Sequence, residues 1–345
     1  MKIYPEELIL WDKEKQKYLP PRLTISQKKL LQNKINTLLA QTKKFYWIHN
    51  LFNTGLIFIL IFLNFSVFMF LNKLNWPLIA IMHGFLTYSL TIFTLHEGAG
   101  HKRIILNPNN NFFLRFLSSL LNNVSRLYFA NPSYYVSRHP LHHKYLGTQH
   151  DGAFTQLVAP KRIFFAFLPM ASYLPFSDYK IHQSNEWSNS KCLSIIIGLG
   201  FHLILFLIAR NQSNNILLIL IFLFISPWIA FCLDRLRETT EHLFCENGDL
   251  PAAREMGNNF WGYLIGGGPW GQPCHLSHHL APSLAWYQQL RLSFFLKSIL
   301  NLEQTSYYFI PTFPNIFPIF FKTLMQKNLH AFKTLKTINQ FDSSL

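Results

Sequence analysis

Charge is scarce in this chain. Of its 345 residues only 14% are Asp, Glu, Lys or Arg and half are apolar, whereas ordinary soluble domains are about 25% charged. Acid is scarcer still: 16 Asp and Glu face 31 Lys and Arg, a net charge of +15. This composition excludes a disordered chain and a coiled coil. Cysteine is sparse as well. Cys192, Cys232, Cys245 and Cys274 form no CxxC pair and are too few for a disulfide framework, which indicates a reducing compartment. No internal repeat of about 20–50 residues is visible. In so apolar a chain the basic excess reads as loops facing anionic lipid, not as a nucleic-acid surface.

Four stretches contain no Asp, Glu, Lys or Arg and are long enough to cross a bilayer: about 51–71, 76–95, 193–209 and 216–233. The short links at 72–75 and 210–214 pair them into two hairpins. The first apolar run begins some fifty residues in and exceeds the apolar core of a signal peptide. Lys and Arg number ten in residues 1–50, ten in 96–192 and nine in 233–345, against one in each link. The excess of base on one side predicts that both termini and the central segment face the cytoplasm. Two further apolar stretches, about 112–130 and 162–176, are broken by Arg115, Arg126, Pro169 and Pro175 and read as helices lying in the interface. The expectation is an all-α, multi-pass integral membrane protein, with a cytoplasmic segment over 1–50, a membrane domain over 51–300 and an aromatic, proline-broken interfacial tail over 301–345.

Eight of the fifteen histidines fall in three tight clusters: His96 and His101 in HEGAGH, His139, His142 and His143 in HPLHH, and His275, His278 and His279 in HLSHH. At this composition HxxHH is expected about 0.03 times per chain, and it occurs twice. Imidazole is the commonest metal-ligand side chain. Positions i, i+3 and i+4 share a helix face, so each HxxHH is expected to aim three imidazoles at one point. His96 and His101 stand about 140° apart on an ideal helix; either Gly98 and Gly100 unwind the turn or the two residues serve different metals. A fourth element, Arg237-Glu238-Thr239-Thr240-Glu241-His242, continues the last apolar stretch, with Glu238 one turn before His242. Nine histidines exceed one tetrahedral zinc site and fit two nitrogen-rich metal sites just below the bilayer.

Other residues have plainer readings. His83 lies about 20 Å from His96 along a continuous helix, too far to share its metal, and His202, also mid-span, reads as a neutral, hydrogen-bonded group in preference to a functional one. His49, His182 and His330 read as interfacial or exposed. His150 and Asp151 either orient a ligand or lie in a solvated loop, and Glu97, Glu241 and Asp249 are further candidates to orient ligands. Trp261 and Trp270 read as interface anchors. The glycines at 266–268 either admit a close backbone approach or form a flexible loop.

The histidine clusters, with the flanks HHKYLGTQHDGA and HHLAPSLAWYQQL, resemble the membrane fatty acid desaturase family over roughly residues 79–292. The resemblance implies two ferrous ions held by His96, His101, His139, His142, His143, His242, His275, His278 and His279, with O2 as co-substrate. It also implies an acyl lipid, acyl-CoA or acyl-carrier-protein substrate, and a ferredoxin or cytochrome b5-type electron donor. No HPGG haem motif occurs in the chain, so the donor is expected to be separate. Where many members have Asn four residues before the fourth-segment histidine, this chain has Glu238, a possible ligand or neighbour of one. The expected reaction places a C=C bond in an acyl chain. The nearest rival is a related di-iron lipid hydroxylase or carotenoid hydroxylase or ketolase. Transport would place ligands within the spans, where only His83 and His202 occur, and a purely structural protein has no use for clustered imidazoles.

Overall fold

The computed structural model describes residues 20–70, 75–146, 189–212, 216–242, 248–257, 259–270 and 272–309. The predicted interfacial stretch over 162–176, most of the tail, and His150, Asp151, His182 and His330 lie outside the described residues; Glu238 lies in a described helix, but its side chain does not. Among the described residues the regular structure is helical, with one isolated bridge between Glu255 and Phe309.

The chain enters through α1 (Ile25–Lys44), started by a capping box in which Thr24 and Gln27 satisfy each other's backbone N–H groups. Helix α2 (Tyr46–Met69) follows at once, and α3 (Trp76–Ile92) begins with Pro77 in its first turn, where its missing N–H costs nothing. After α4 (Phe112–Asn122), a 3-10 turn (Val124–Tyr128) and α5 (Pro132–Tyr145), the described chain resumes in α6 (Asn189–Gln212) and α7 (Ile216–His242). It ends in α8 (Phe260–Gly266), α9 (His275–Leu280), α10 (Trp286–Ile299) and α11 (Leu302–Tyr308).

Three segments are long and apolar enough to cross a membrane: Tyr46–Val67, Trp76–Gly100 and Asn189–Arg210. Helix α7 is continuous over 27 residues, but its apolar stretch, Phe222–Asp234, falls short of a full span by the same measure. The outward faces of these helices are apolar: Phe58, Ile59 and Phe62 on α2 and Ile196, Leu199 and Leu203 on α6 are all exposed. In water such a surface is a liability, whereas hydrocarbon accepts it.

Inside the bundle α3 runs against α2 and α7. A Cβ on Gly84 would stand 2.8 Å from both the Ser226 carbonyl oxygen and Ile229 Cβ, so only glycine allows α3 and α7 to approach this closely. Polar groups facing inward find one another. His83 Nδ1 bonds to Ser226 Oγ at 2.5 Å and Thr87 donates to Asn64 Oδ1 at 3.1 Å, while His202 Nδ1 bonds to the Gly198 carbonyl at 2.8 Å. His83 and His202 are thus each held by a hydrogen bond, which agrees with the plainer reading of His202 and leaves His83 apart from the clusters.

The other half of the molecule closes over one end of these helices. An apolar core joins Leu31 and Leu38 of α1 to Leu276 of α9, Leu292 and Leu296 of α10 and Tyr308 of α11. Gln27 donates to the Ile299 carbonyl, Lys28 pairs with Asp249 at 2.7 Å and Asp249 accepts the Leu23 N–H. Asp249 is therefore an anchor for α1, not an orienting group for a histidine. Helix α4 turns Leu121 inward while Phe112, Phe113, Phe116 and Leu120 stay exposed, the two-faced pattern expected of an interfacial helix.

Candidate metal centre

The first cluster lies where α3 changes winding. From Phe93 to Gly100 the helix is π-helical, and the His101 N–H donates to the His96 carbonyl five residues back at 3.0 Å. The wider turn brings residues five apart onto one face, which resolves the angular problem of HEGAGH: the two rings lie 4.8 Å apart between centroids. The small residues are required here. A Cβ on Gly98 would lie 2.7 Å from Ile104 Cδ1, and one on Gly100 would lie 2.8 Å from Tyr135 Cε1 and 3.0 Å from His139 Cδ2.

The nine histidines from four segments come together, but not cluster by cluster. His96, His101, His139, His143 and His278 form one group, and His142, His242, His275 and His279 form another; within each group the ligand atoms lie within 4.8 Å of one another. This corrects the expectation that each HxxHH aims at a single point. On a helix positions i and i+4 differ by about 40°, but i+3 and i+4 differ by about 100°. His139 and His143 therefore point together while His142 turns to the second group, and His275 and His279 part from His278 in the same way. The groups adjoin: the rings of His143 and His279 are 4.4 Å apart.

All nine are buried except His101 and His143, which are half-buried. Nε2 atoms face inward in both groups: His139–His101 2.6 Å, His278–His143 2.8 Å and His96–His278 3.0 Å in the first, His275–His242 2.7 Å and His279–His275 3.0 Å in the second. Two nitrogens bound at about 2.1 Å and 90° to one ion lie about 3.0 Å apart, so each group has the dimensions of a metal-ligand shell. Burial holds the imidazoles of His101, His139, His275, His278 and His279 well below the ordinary histidine pKa, and neighbouring rings and arginines lower them further. They are neutral at pH 7, the form that binds metal. The donor set, nine imidazoles converging on two points, fits transition-metal ions and not magnesium or calcium, which favour oxygen.

The outward nitrogens have partners of their own. His96 Nδ1 lies 3.0 Å from Glu97 Oε1, His242 Nδ1 2.9 Å from the Ala252 carbonyl, His275 Nδ1 3.3 Å from Glu241 Oε1 and His278 Nδ1 3.2 Å from the Gln289 amide. Glu97 and Glu241, singled out in the sequence, thus stand beside histidines. Gln289 and Arg103 were missed. Arg103 reaches Glu97 at 2.5 Å and the carbonyls of Pro282 and Leu284, and its only advance sign was a charge two residues past HEGAGH. His49, expected at an interface, is buried and bonded to the Arg103 carbonyl at 2.5 Å, because the start of α2 packs on the loop that follows the first cluster. Trp270 is half-buried and donates to Ser89 Oγ at 2.7 Å. Trp261 is exposed. The glycine run meets α3, since Ser89 donates to the Gly267 carbonyl and a Cβ there would strike Ile92.

Helix α9 has a further buried support. Glu255 Oε1 accepts the Ser277 N–H at 2.9 Å and the Ser277 hydroxyl, and burial raises its carboxyl to about 8, so it stands protonated at neutral pH.

Comparison with models of protein families, with curated proteins and with solved structures finds no match for this chain. The fold and site define its class by themselves: a chain helical throughout its described residues, with three membrane-length apolar segments and two adjoining histidine groups able to hold metal ions.

Proposed function

We propose that this protein is an O2-dependent di-iron desaturase of the membrane, acting on the acyl chain of a lipid or thioester. The observation that carries the reading is the convergence of nine imidazoles into a five-membered and a four-membered group side by side, the number and division expected of a two-metal site with only nitrogen donors. In this reading α7 is the fourth span of two apolar hairpins, both termini lie in the cytoplasm, and the histidine groups sit just outside the hydrocarbon; the three membrane-length segments and the position of His101 and His242 beyond α3 and at the end of α7 support it. Iron bound there supplies the reduction of O2 and the removal of hydrogen from unactivated CH2 groups, chemistry that side chains cannot perform.

The protein holds and orients. The π-helical turn sets His96 beside His101, α5 and α9 each distribute histidines to both groups, and the Ala252 carbonyl and Glu97 hold His242 and His96 with Nε2 inward. Leu90, Phe93, Ile104 and Leu121 pack in one apolar core that flanks the first cluster on α3 and limits the access of bulk water. A ferredoxin or cytochrome b5-type protein supplies electrons from outside the chain, and the basic surface suits an anionic donor or acyl carrier.

The test is lipid analysis of cells expressing the protein beside His278→Ala. The expected product has lost two hydrogens, and the variant does not form it. A product that has gained one oxygen atom identifies a hydroxylase on the same site. No change in lipids, with no O2 consumed by purified enzyme and reductase, refutes both.

A further inference from the structure

Two buried carboxylate–guanidinium pairs flank the histidine groups. Glu97 Oε1 lies 3.0 Å from His96 Nδ1 and 2.5 Å from Arg103 Nη2; Arg103 continues to the carbonyls of Pro282 and Leu284, in the loop after HLSHH. Glu241 Oε1 lies 3.3 Å from His275 Nδ1, and Oε2 accepts from Arg237 Nη1 at 2.5 Å. Arg237 also donates to Gln272 Oε1 at 2.7 Å and to Asp234. The side chains of Glu97, Arg103, Glu241 and Arg237 are at most 6% exposed. His96 belongs to the five-histidine group and His275 to the four-histidine group.

We infer that Glu97–Arg103 and Glu241–Arg237 are separate positioning devices, one for each metal centre, which set the metal affinity of the two centres independently. The inference rests on the proposed reading of the groups as metal centres. A carboxylate beside Nδ1 favours the proton there, turns the Nε2 lone pair inward and makes that nitrogen a stronger donor; Glu97 does this through a hydrogen bond to His96, and Glu241 through its charge 3.3 Å from His275 Nδ1. Among the described residues, the contacts to the Ala252 carbonyl and the Gln289 amide are neutral, and each group has an imidazole beside a buried carboxylate. Arg103 and Arg237 each donate to their carboxylate at 2.5 Å and so compensate its buried charge. Each arginine also ties its carboxylate to a second chain segment, so the imidazole is aimed by tertiary structure and not by its own helix alone.

The experiment uses full-length protein in detergent, stripped of metal and titrated with Co2+ alone. Metal content is read by elemental analysis and site identity by the ligand-field spectrum. Wild type takes up two ions per chain. Glu97→Gln keeps the shape and removes the charge: Co2+ affinity at the five-histidine centre falls about 10–100-fold, while the four-histidine centre keeps its affinity and spectrum. Glu241→Gln gives the complement, and the two residual spectra sum to that of wild type. Melting of the metal-free variants checks folding. Should either Gln variant fail to fold, Arg103→Lys and Arg237→Lys retain a cation but lose the forked contact, and they produce the same centre-by-centre pattern. Variants that bind both ions as wild type does, or weaken both centres together, overturn the inference alone. A wild-type protein that binds no Co2+ overturns it together with the proposed function.

Discussion

Acid should destabilise the metal-free protein through its own histidines. In an unfolded chain each imidazole titrates near 6.5, whereas burial keeps His101, His139, His275, His278 and His279 neutral far below that. Below pH 6.5 the unfolded state therefore binds protons that the folded state refuses, so stability falls as pH falls. Between pH 7 and 5.5 each such imidazole costs about 1.2 kcal/mol, or about 6 kcal/mol for five. Glu255 acts in the opposite sense. Its carboxyl is raised from 4.5 to about 8 in the fold, so its contribution is complete below pH 4.5 and is lost as pH rises toward 8; over the same interval acid returns about 2 kcal/mol. The net loss is about 4 kcal/mol, a large part of the 5–15 kcal/mol typical of a folded protein. Thermal melting of chelator-treated protein in detergent should show Tm falling on the order of 5–10 °C between pH 7 and 5.5. Glu255→Gln can still accept the Ser277 bonds but no longer titrates, so its melting curve should fall more steeply with acid than that of wild type. A Tm that stays level or rises on acidification would show that these imidazoles are not buried and neutral.

Two substitutions test the packing around the first cluster. Gly100→Ala drives a methyl group against Tyr135 and the His139 ring; overpacking of this kind costs about 1–3 kcal/mol, and metal should be lost from the five-histidine centre while the four-histidine centre stays filled, as measured by elemental analysis. Arg103→Met leaves Glu97 buried without its cation, a loss of about 3–5 kcal/mol, and Glu97→Gln/Arg103→Met should recover much of it. Equal melting temperatures for the single and double variants would show that the pair is not coupled.

Much of this protein is legible in one dimension. A run of residues without charge is a statement about lipid that needs no partner: an ionised side chain in hydrocarbon is costly wherever the rest of the chain lies, so the stretches over 51–71, 76–95 and 193–209 match segments that have the length and hydropathy to cross. The fourth stretch proved to be the front of α7, which runs unbroken to His242. The histidine clusters were equally plain, because HxxHH is rare by chance and all of its members are close in sequence.

What stayed hidden depends on residues distant in sequence or on a change of winding. An altered winding at Gly98 and Gly100 was one of two readings open from the sequence, but their close approach to Asn122, Ile104 and Tyr135 involves neighbours that no local window contains. His49 is buried only because α2 meets Arg103 across 54 positions. His278 joins His96 across 182 positions, and the assignment of each imidazole to one group or the other follows from where α5 and α9 face each other. Composition and periodicity decided that the chain belongs with lipid and carries clustered donors. Tertiary packing alone decided how nine rings divide into five and four, because a side chain's direction is set locally but its companions are set by the fold.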